Sequence, residues 1–145
     1  MRLLLVAMAV ILASACSSVQ RNANGWIEPV EAVRMANEDP ESGIPGESVM
    51  TGRALDSYPE RSFLNSESDY RDQRNLTIRM PTSMLPKLEE RLGLEFEDLK
   101  GRQLVITGVA KRARIDFVSD GRPTGKYYYQ THVSVDSPTQ IRLAQ

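Results

Sequence analysis

The segment QLVITGVAKRARIDFVSDGRPTGKYYYQTHVSV, residues 103–135, decides the fold of this chain. Residues 103–118 form the longest stretch with a strand pattern, and residues 126–135 form a second one. Between them, residues 120–125 hold two glycines and a proline, which together are a strong turn signal. The segment therefore predicts a long β-hairpin.

Shorter patterns flank this hairpin. Residues 49–55, 62–64 and 76–80 have the alternation of strands, and residues 140–143 form a last one after Pro138. A helix is predicted after residue 81, with Thr82 or Ser83 as its cap and Gly93 at its end. One face of this helix carries three leucines: Leu85, Leu88 and Leu92.

Three strands, a helix and two strands follow one another in the order of an OB-fold. We therefore predict a mainly β chain whose residues 48–145 form a small OB-like five-stranded barrel. One α-helix would cap the open end of this barrel with its leucine face. A β-sandwich without the helix is the main alternative.

Composition narrows the classes of function. The formal net charge of −1 excludes general electrostatic capture of nucleic acid by the whole molecule, although a local basic patch could still bind it. With one cysteine and one histidine, the chain has few groups for disulfides, metal ligation or catalysis. We expect no cofactor and no enzymatic activity.

The first residues predict where in the cell the protein is located. Arg2 precedes an apolar run over residues 3–13, and small residues stand directly before Cys16, the sole cysteine. This arrangement resembles the signal of bacterial lipoproteins, in which residues 1–15 are removed and palmitate-type chains are attached to the cysteine. Because Ser17 stands where an inner-membrane retention signal usually shows aspartate, the resemblance implies the outer membrane, periplasmic face. An ordinary signal peptide with an incidental cysteine is the alternative.

Residues 16–47 predict a lipidated tether with a short helix. Residues 17–25 are small and polar, and residues 26–36 have a helical pattern with Ile27, Val30 and Val33 as an apolar stripe that could dock on a domain. Residues 37–47 contain two prolines and two glycines and predict a loop.

The hairpin also carries the best candidate ligand site. OB-folds use such hairpins to bind single strands or oligosaccharides, with cations for phosphates and aromatic rings for bases or sugars. Alternation places Tyr127 and Tyr129 on one face and Tyr128 with His132 on the other. The alternative is that Tyr127 and Tyr129 are core residues and the cations a solvated edge. The candidate residues are Lys111, Arg112, Arg114, Arg122, Lys126 and Tyr128.

A second polar cluster spans residues 69–74, where Tyr70 and Arg71 are candidate ligand contacts. The alternative is a turn in which Asp69 pairs with Arg71 or Arg74. For catalysis, His132, Ser134 and Asp136 stand at two-residue spacing on one strand. Their side chains would therefore point in parallel, and a triad is not expected.

Several short motifs resemble a family of bacterial OB-fold domains, some of them attached to or encoded beside thermonuclease-like proteins. The shared stretches lie within residues 49–143. They are Phe63-Leu64-Asn65, Asp69-Tyr70-Arg71, Leu76-Thr77-Ile78, the segment LKGRQLVITG at 99–108 and the segment SPTQI at 137–141. The resemblance implies the OB-fold and says little about the ligand.

These observations predict a non-enzymatic envelope lipoprotein whose OB-like module binds an anionic or sugar polymer, such as a nucleic acid or glycan, or a protein partner. Residues 111–128 would be the contact for a polymer. The alternative is a structural accessory lipoprotein that docks on an envelope protein complex through the helix at 26–36. Binding of a polymer through cations should fall steeply with salt, whereas apolar docking should not.

Overall fold

The computed structural model of the protein describes residues 18–145. Strands dominate it, so the prediction of a mainly β chain is confirmed. The elements are α1 (Pro29–Glu38), β1 (Ile44–Thr51), β2 (Ala54–Ser57), β3 (Arg61–Asn65), β4 (Leu76–Pro81), α2 (Leu85–Leu92), β5 (Gln103–Ser119), β6 (Arg122–Ser134) and β7 (Ile141–Leu143).

One sheet contains all seven strands, in the order β1-β5-β6-β4-β3-β2, with β7 also paired to β5. The sandwich alternative needs two sheets and is therefore wrong. Neighbours pair antiparallel except β4 and β6, which are parallel. The two strands at the ends of this path, β1 and β2, are separated by two residues in the chain.

The predicted strand 49–55 is divided at Gly52. A Cβ built on this glycine would lie 2.8 Å from the carbonyl oxygen of Leu99, so only glycine fits there without a shift. The amide of Gly52 donates to Arg102 O, and its carbonyl accepts from Gly101 N. These bonds replace the sheet ladder, so β1 pairs with β5 whereas β2 turns to pair with β3.

Helix α1 packs on the main core, but not through the predicted stripe. Ala32, Met35 and Ala36 are buried, whereas Val30 is 60% exposed. Ile27 is buried for a different reason, because it precedes the helix and bridges to Ser48 as an extended residue. The prediction counted Ile27 as part of the helix, although the helix begins only at Pro29.

The predicted tether and loop contain structure. Val19 packs against the core, and the side chain of Asn22 accepts hydrogen bonds from Asn24 N and Trp26 N at 3.0 and 3.1 Å. Strand β1 begins at Ile44, so the loop prediction is wrong for residues 44–47. Pairing with β5 stabilises this extended segment despite its proline and glycine.

Helix α2 lies where the leucine pattern predicted it. Leu88 is 1% exposed, and Leu85 and Leu92 pack partly buried against the same core. Gly93 ends the helix with φ of 68°. The predicted cap is wrong, because a 3₁₀ turn precedes the helix and Thr82 Oγ1 donates instead to Tyr58 O at 2.6 Å.

The hairpin turns within Asp120 and Gly121, whose φ values are 51° and 73°, so the turn is tighter than the predicted 120–125. Strand β1 pairs with β5 only as far as Ala110, and β4 pairs with β6 from Thr131 onward. Within the part of the chain that the structure describes, residues 111–130 therefore form a two-stranded ribbon without a third strand.

Candidate functional site

A cleft of about 520 Å³ lies on one face of the sheet. This volume lies within the usual range for small-ligand sites, about 300–1,000 Å³. Two further cavities measure about 50 and 20 Å³. The cleft is lined by Asp56, Tyr58, Phe63, Asn65, Tyr70, Thr77, Arg79, Ala113, Arg114, Ile115, Tyr128, Gln130 and His132.

Strand register explains the floor of this cleft. Thr77 on β4 pairs with Asn65 on one side and with His132 on the other, so the three side chains share a face. Two residues further along β4, Arg79 pairs with Phe63. Segments distant in sequence thus contribute to one row of side chains.

Strand β6 supplies the next row. Tyr128, Gln130 and His132 alternate onto the cleft face, and Ile115 and Ala113 of β5 pair with the first two. The small Ala113 and the half-buried Ile115 leave room above the sheet. A ligand there would meet aliphatic carbon on one side and polar groups on the other.

Aromatic rings form the walls. Tyr58 and Phe63 meet edge to face with centroids 6.1 Å apart, and Tyr58 is 59% exposed. Tyr70 is 48% exposed, and the guanidinium of Arg71 lies 5.6 Å from its ring centroid. Tyr128 is half-buried. Such rings can stack on bases or on the apolar faces of sugars.

A hydrogen-bonded row on β6 determines which polar atoms face a ligand. Gln130 Nε2 donates to the Tyr128 hydroxyl at 2.8 Å and to Tyr70 O at 3.3 Å. Gln130 Oε1 can then only accept, so His132 Nε2 donates to it at 2.6 Å. The Tyr128 hydroxyl, as an acceptor here, can offer its own hydrogen to a ligand.

The charge state of this row follows from its surroundings. Burial, and to a smaller extent the charge of the nearby Arg79, lowers the pKa of His132 to about 4, so the imidazole is neutral at pH 7. Burial likewise raises the pKa of Tyr128. At neutral pH both side chains are uncharged hydrogen-bonding groups.

A buried polar network holds the loop that carries Tyr70. Asn75 Nδ2 donates to Asn65 Oδ1 and to Thr77 Oγ1, both at 2.9 Å, and to Tyr70 O at 3.3 Å. Thr77 Oγ1 donates to Asn65 Oδ1 at 2.8 Å. Asn65, Thr77 and Asn75 are all buried, so the polar network connects the loop to two strands.

Two charges of opposite sign line the cleft without partners. Neither Asp56 nor Arg79 forms an ion pair or a side-chain hydrogen bond within the described residues, and both are exposed. Each can therefore bond a ligand without first breaking an internal contact.

The predicted hairpin residues divide between the two faces of the ribbon. Tyr128 lines the cleft, whereas Arg112 and Arg114 stack on Tyr129 and Tyr127 with guanidinium-to-centroid distances of 4.2 and 4.1 Å. Arg114 also lines the cleft and pairs with Asp116 at 2.9 Å. Alternation along a strand explains why Arg112 and Tyr128 lie on opposite faces, whereas the long side chain of Arg114 also reaches the cleft.

The alternative of core tyrosines is wrong, because Tyr127 is 49% and Tyr129 37% exposed. Both tyrosines lie on the part of β6 that does not pair with β4, so no core lies beneath their rings. Lys111, Arg122 and Lys126 are exposed as well.

In the second predicted cluster, Asp69 pairs with Arg71 at 3.0 Å, as the turn interpretation expected, and Asp72 pairs with Arg74 at 2.8 Å. Arg71 lowers the pKa of the Asp69 carboxyl, and Arg74 lowers that of Asp72 to about 2. The loop also brings Tyr70 to the cleft, and its role as a ligand contact stays a prediction.

Among the described residues, His132 bonds Gln130 and forms no hydrogen bond with the exposed Ser134. Residues 18–145 contain no group of three or more His, Cys, Asp or Glu that could hold a metal ion. No helix in the same range is long and apolar enough to cross a membrane. Cys16 and the signal at 1–15 lie outside the described residues.

The sequence patterns did not identify the contributions of β2, β3 and β4 to the cleft. The sequence does contain a partial signal for them. Phe63 and Asn65 alternate on β3, and Thr77 and Arg79 alternate on β4, so each pair shares a face of its strand. Alternation does not show, however, which strands are neighbours in the sheet. Comparison of the chain with protein families, curated proteins and solved structures finds no match. The resemblance to OB-fold domains remains a prediction.

Proposed function

We propose that this protein is a non-enzymatic lipoprotein of the bacterial envelope that binds a sugar polymer in the cleft. Acyl chains on Cys16 would hold it at the periplasmic face of the outer membrane. The observation that carries the binding role is the cleft itself, where aromatic rings, amides and two unpaired charges converge.

An OB-like barrel is part of this proposal. The path from β1 to β2 ends on two strands that are consecutive in the chain, and these would be one bent strand that closes the sheet. The parallel pairing of β4 with β6, with α2 between β4 and β5, supports the same topology. The cleft would then lie on the face that OB-folds use for oligonucleotides and oligosaccharides.

The chemistry of the cleft favours a sugar over a nucleic acid. A groove for single strands tracks the phosphates with several cations. Here Arg79 is the unpaired cation, Asp56 places a carboxylate nearby, and Arg114 is paired with Asp116. Hydroxyl-rich sugars suit the remaining groups, since Gln130, His132 and Tyr128 offer neutral donors and acceptors beside aromatic rings.

The alternative role, docking on an envelope complex through the helix at 26–36, has less support. The apolar side chains Ala32, Met35 and Ala36 of α1 pack into the protein's own core. Val30 is the large apolar side chain that this helix leaves exposed.

Binding can be tested by calorimetry with N-acetylglucosamine oligomers and with single-stranded DNA. We expect the sugar to bind with little dependence on salt, because few phosphate-type contacts are involved. Tyr128→Ala should weaken binding by about 1–2 kcal/mol, roughly tenfold. Tyr129→Ala, one residue away on the opposite face and in contact with Arg112 rather than with Arg114, is the matched control and should leave the affinity unchanged.

Tighter binding of DNA with a steep salt dependence would refute the proposal, as would equal losses for Tyr128→Ala and Tyr129→Ala. The anchor is tested separately by labelling cells with a palmitate analogue. Cys16→Ser should abolish labelling and membrane association, and label retained by the variant would contradict the lipoprotein assignment.

A further inference from the structure

Within the described chain, the ribbon, residues 111–130, leaves both of its edges unpaired, and residues 116–127 around its tip are all exposed. No third strand within residues 18–145 pairs with it. The register shifts between Asp116 and Val118, so that Phe117 and Val118 follow one another near the tip. Such a bulge re-aims side chains at the end of a ribbon.

Exposed apolar surface concentrates on this element. Eight large hydrophobic side chains of the described residues are exposed, and four of them lie on the ribbon. Exposed apolar side chains that concentrate on one element favour a contact surface. The four are Phe117 at 48%, Val118 at 61%, Tyr127 at 49% and Tyr129 at 37%.

Positive charge concentrates on the same element. The ribbon carries five cations and two carboxylates, whereas the other described residues carry 12 cations and 17 carboxylates. Within the described part of the chain, Arg122 and Lys126 beside the tip form no ion pair. A basic tip on an otherwise acidic body is complementary to an anionic surface.

We propose that the tip of the ribbon docks on an anionic phospholipid bilayer. Aromatic rings and basic side chains are the groups that favour the interface between headgroups and acyl chains. Val118, an exposed aliphatic side chain with no hydrogen-bonding group, could be buried there.

The ring contacts favour this surface over single-stranded nucleic acid. Arg114 covers the ring of Tyr127, and Arg112 covers that of Tyr129. These rings are therefore already stacked, whereas binding of single strands needs open faces.

The inference rests on the proposed envelope location. An acyl anchor alone leaves the domain free to rotate on its lipid. A second contact through the ribbon would hold it in one orientation, and lipid chains combined with a basic patch bind membranes more stably than a single signal.

The test uses the full acylated chain in vesicles of phosphatidylcholine, alone or mixed with an equal amount of phosphatidylglycerol. Phe117→Trp places a reporter at the tip, while the buried Trp26 supplies a constant background in every variant. Lys87→Trp, on the exposed side of α2, is the matched control. Brominated acyl chains quench a tryptophan that reaches the interface.

We expect brominated lipid to quench the reporter at 117 and not the one at 87, and to quench more strongly in the anionic vesicles. Arg122→Ser and Lys126→Ser should each lower the ratio of docked to undocked protein by about fivefold. Equal quenching at the two positions, or none at 117 while the protein floats with the vesicles, would overturn the proposal.

A response of the reporter to single-stranded DNA but not to anionic vesicles would assign the ribbon to nucleic acid and also overturn it. Failure of the anchor is distinguishable, because flotation and acyl mass measure it without the reporter at 117. If acylation fails, quenching by added anionic vesicles still supports docking by the ribbon, and its absence contradicts docking.

Discussion

Acidification from pH 7 to pH 5 should destabilise this protein mainly through His132, the one histidine of the chain. Its pKa is lowered from an ordinary 6.5 to about 4, chiefly because burial penalises the imidazolium and secondly because Arg79 repels it. The unfolded state therefore binds a proton more readily than the folded state between these two values.

The direction and size follow from this difference. The contribution of His132 to the free energy of unfolding is fully present above pH 6.5. It falls as the pH decreases towards 4, and below pH 4 it levels off. At pH 5, a pKa of about 4 in the folded state and 6.5 in the unfolded state corresponds to a loss of about 2 kcal/mol. The hydrogen bond to Gln130 survives protonation, because the imidazolium also donates.

The carboxyl groups with lowered pKa affect stability mainly at a lower pH than His132 does. Glu31 and Asp72 titrate in the folded state at about 2, and their ordinary values are 4.5 and 3.8. Their stabilising effect is consequently lost mainly below pH 4.5, under the range in which His132 acts.

Urea unfolding at pH 7 and pH 5 measures the effect, and an NMR titration of the single imidazole measures its pKa directly. His132→Gln should remove most of the difference in unfolding free energy between the two pH values. Arg79→Gln should raise the pKa of His132 part of the way towards 6.5, since it removes the smaller cause. A wild-type midpoint near 6.5, or an unchanged pH dependence in His132→Gln, would refute the reasoning.

Two further predictions concern the core and the backbone. Leu88→Ala should lower the unfolding free energy by about 2–5 kcal/mol, as the truncation of buried leucines generally does. Lys87→Ala, on the exposed side of the same helix, should change it little. Equal denaturation midpoints for the two variants would contradict the packing of α2. Gly43 and Gly93 have similar φ, 71° and 68°, but a Cβ on Gly43 would lie 2.7 Å from Ala110 O, whereas one on Gly93 meets nothing within 4 Å. Gly43→Ala should therefore cost roughly 1–3 kcal/mol more than Gly93→Ala in thermal or urea unfolding, and similar losses would show that the contact yields.

Much of the candidate site could not be predicted from the sequence because it depends on pairing. The patterns identified Tyr128 and Tyr70, which line the cleft. They did not identify Arg79 or Phe63, which become neighbours only through the register of β3 and β4. Nor did they show that Arg112 and Arg114 would stack on tyrosines of the ribbon.

The structure explains why the interpretation of Tyr127 and Tyr129 as core residues is wrong. Alternation correctly placed both on one side of β6, the side on which Val133 is buried. A pattern states which residues share a face, but not how far along the strand the core extends. The core ends where β4 begins to pair, at Thr131.

Local sequence patterns were sufficient to predict the long hairpin, the strands at 62–64 and 76–80, and the helix with Leu88 on its buried side. Periodicity, turn residues and Gly93 are local properties, so they can be recognised without knowing the fold. The folded chain was needed to show that the extended segment divides at Gly52, that Ile27 is buried ahead of α1, and that five strands contribute residues to the cleft. These features depend on contacts between residues far apart in the chain, and backbone pairing and close packing determine them.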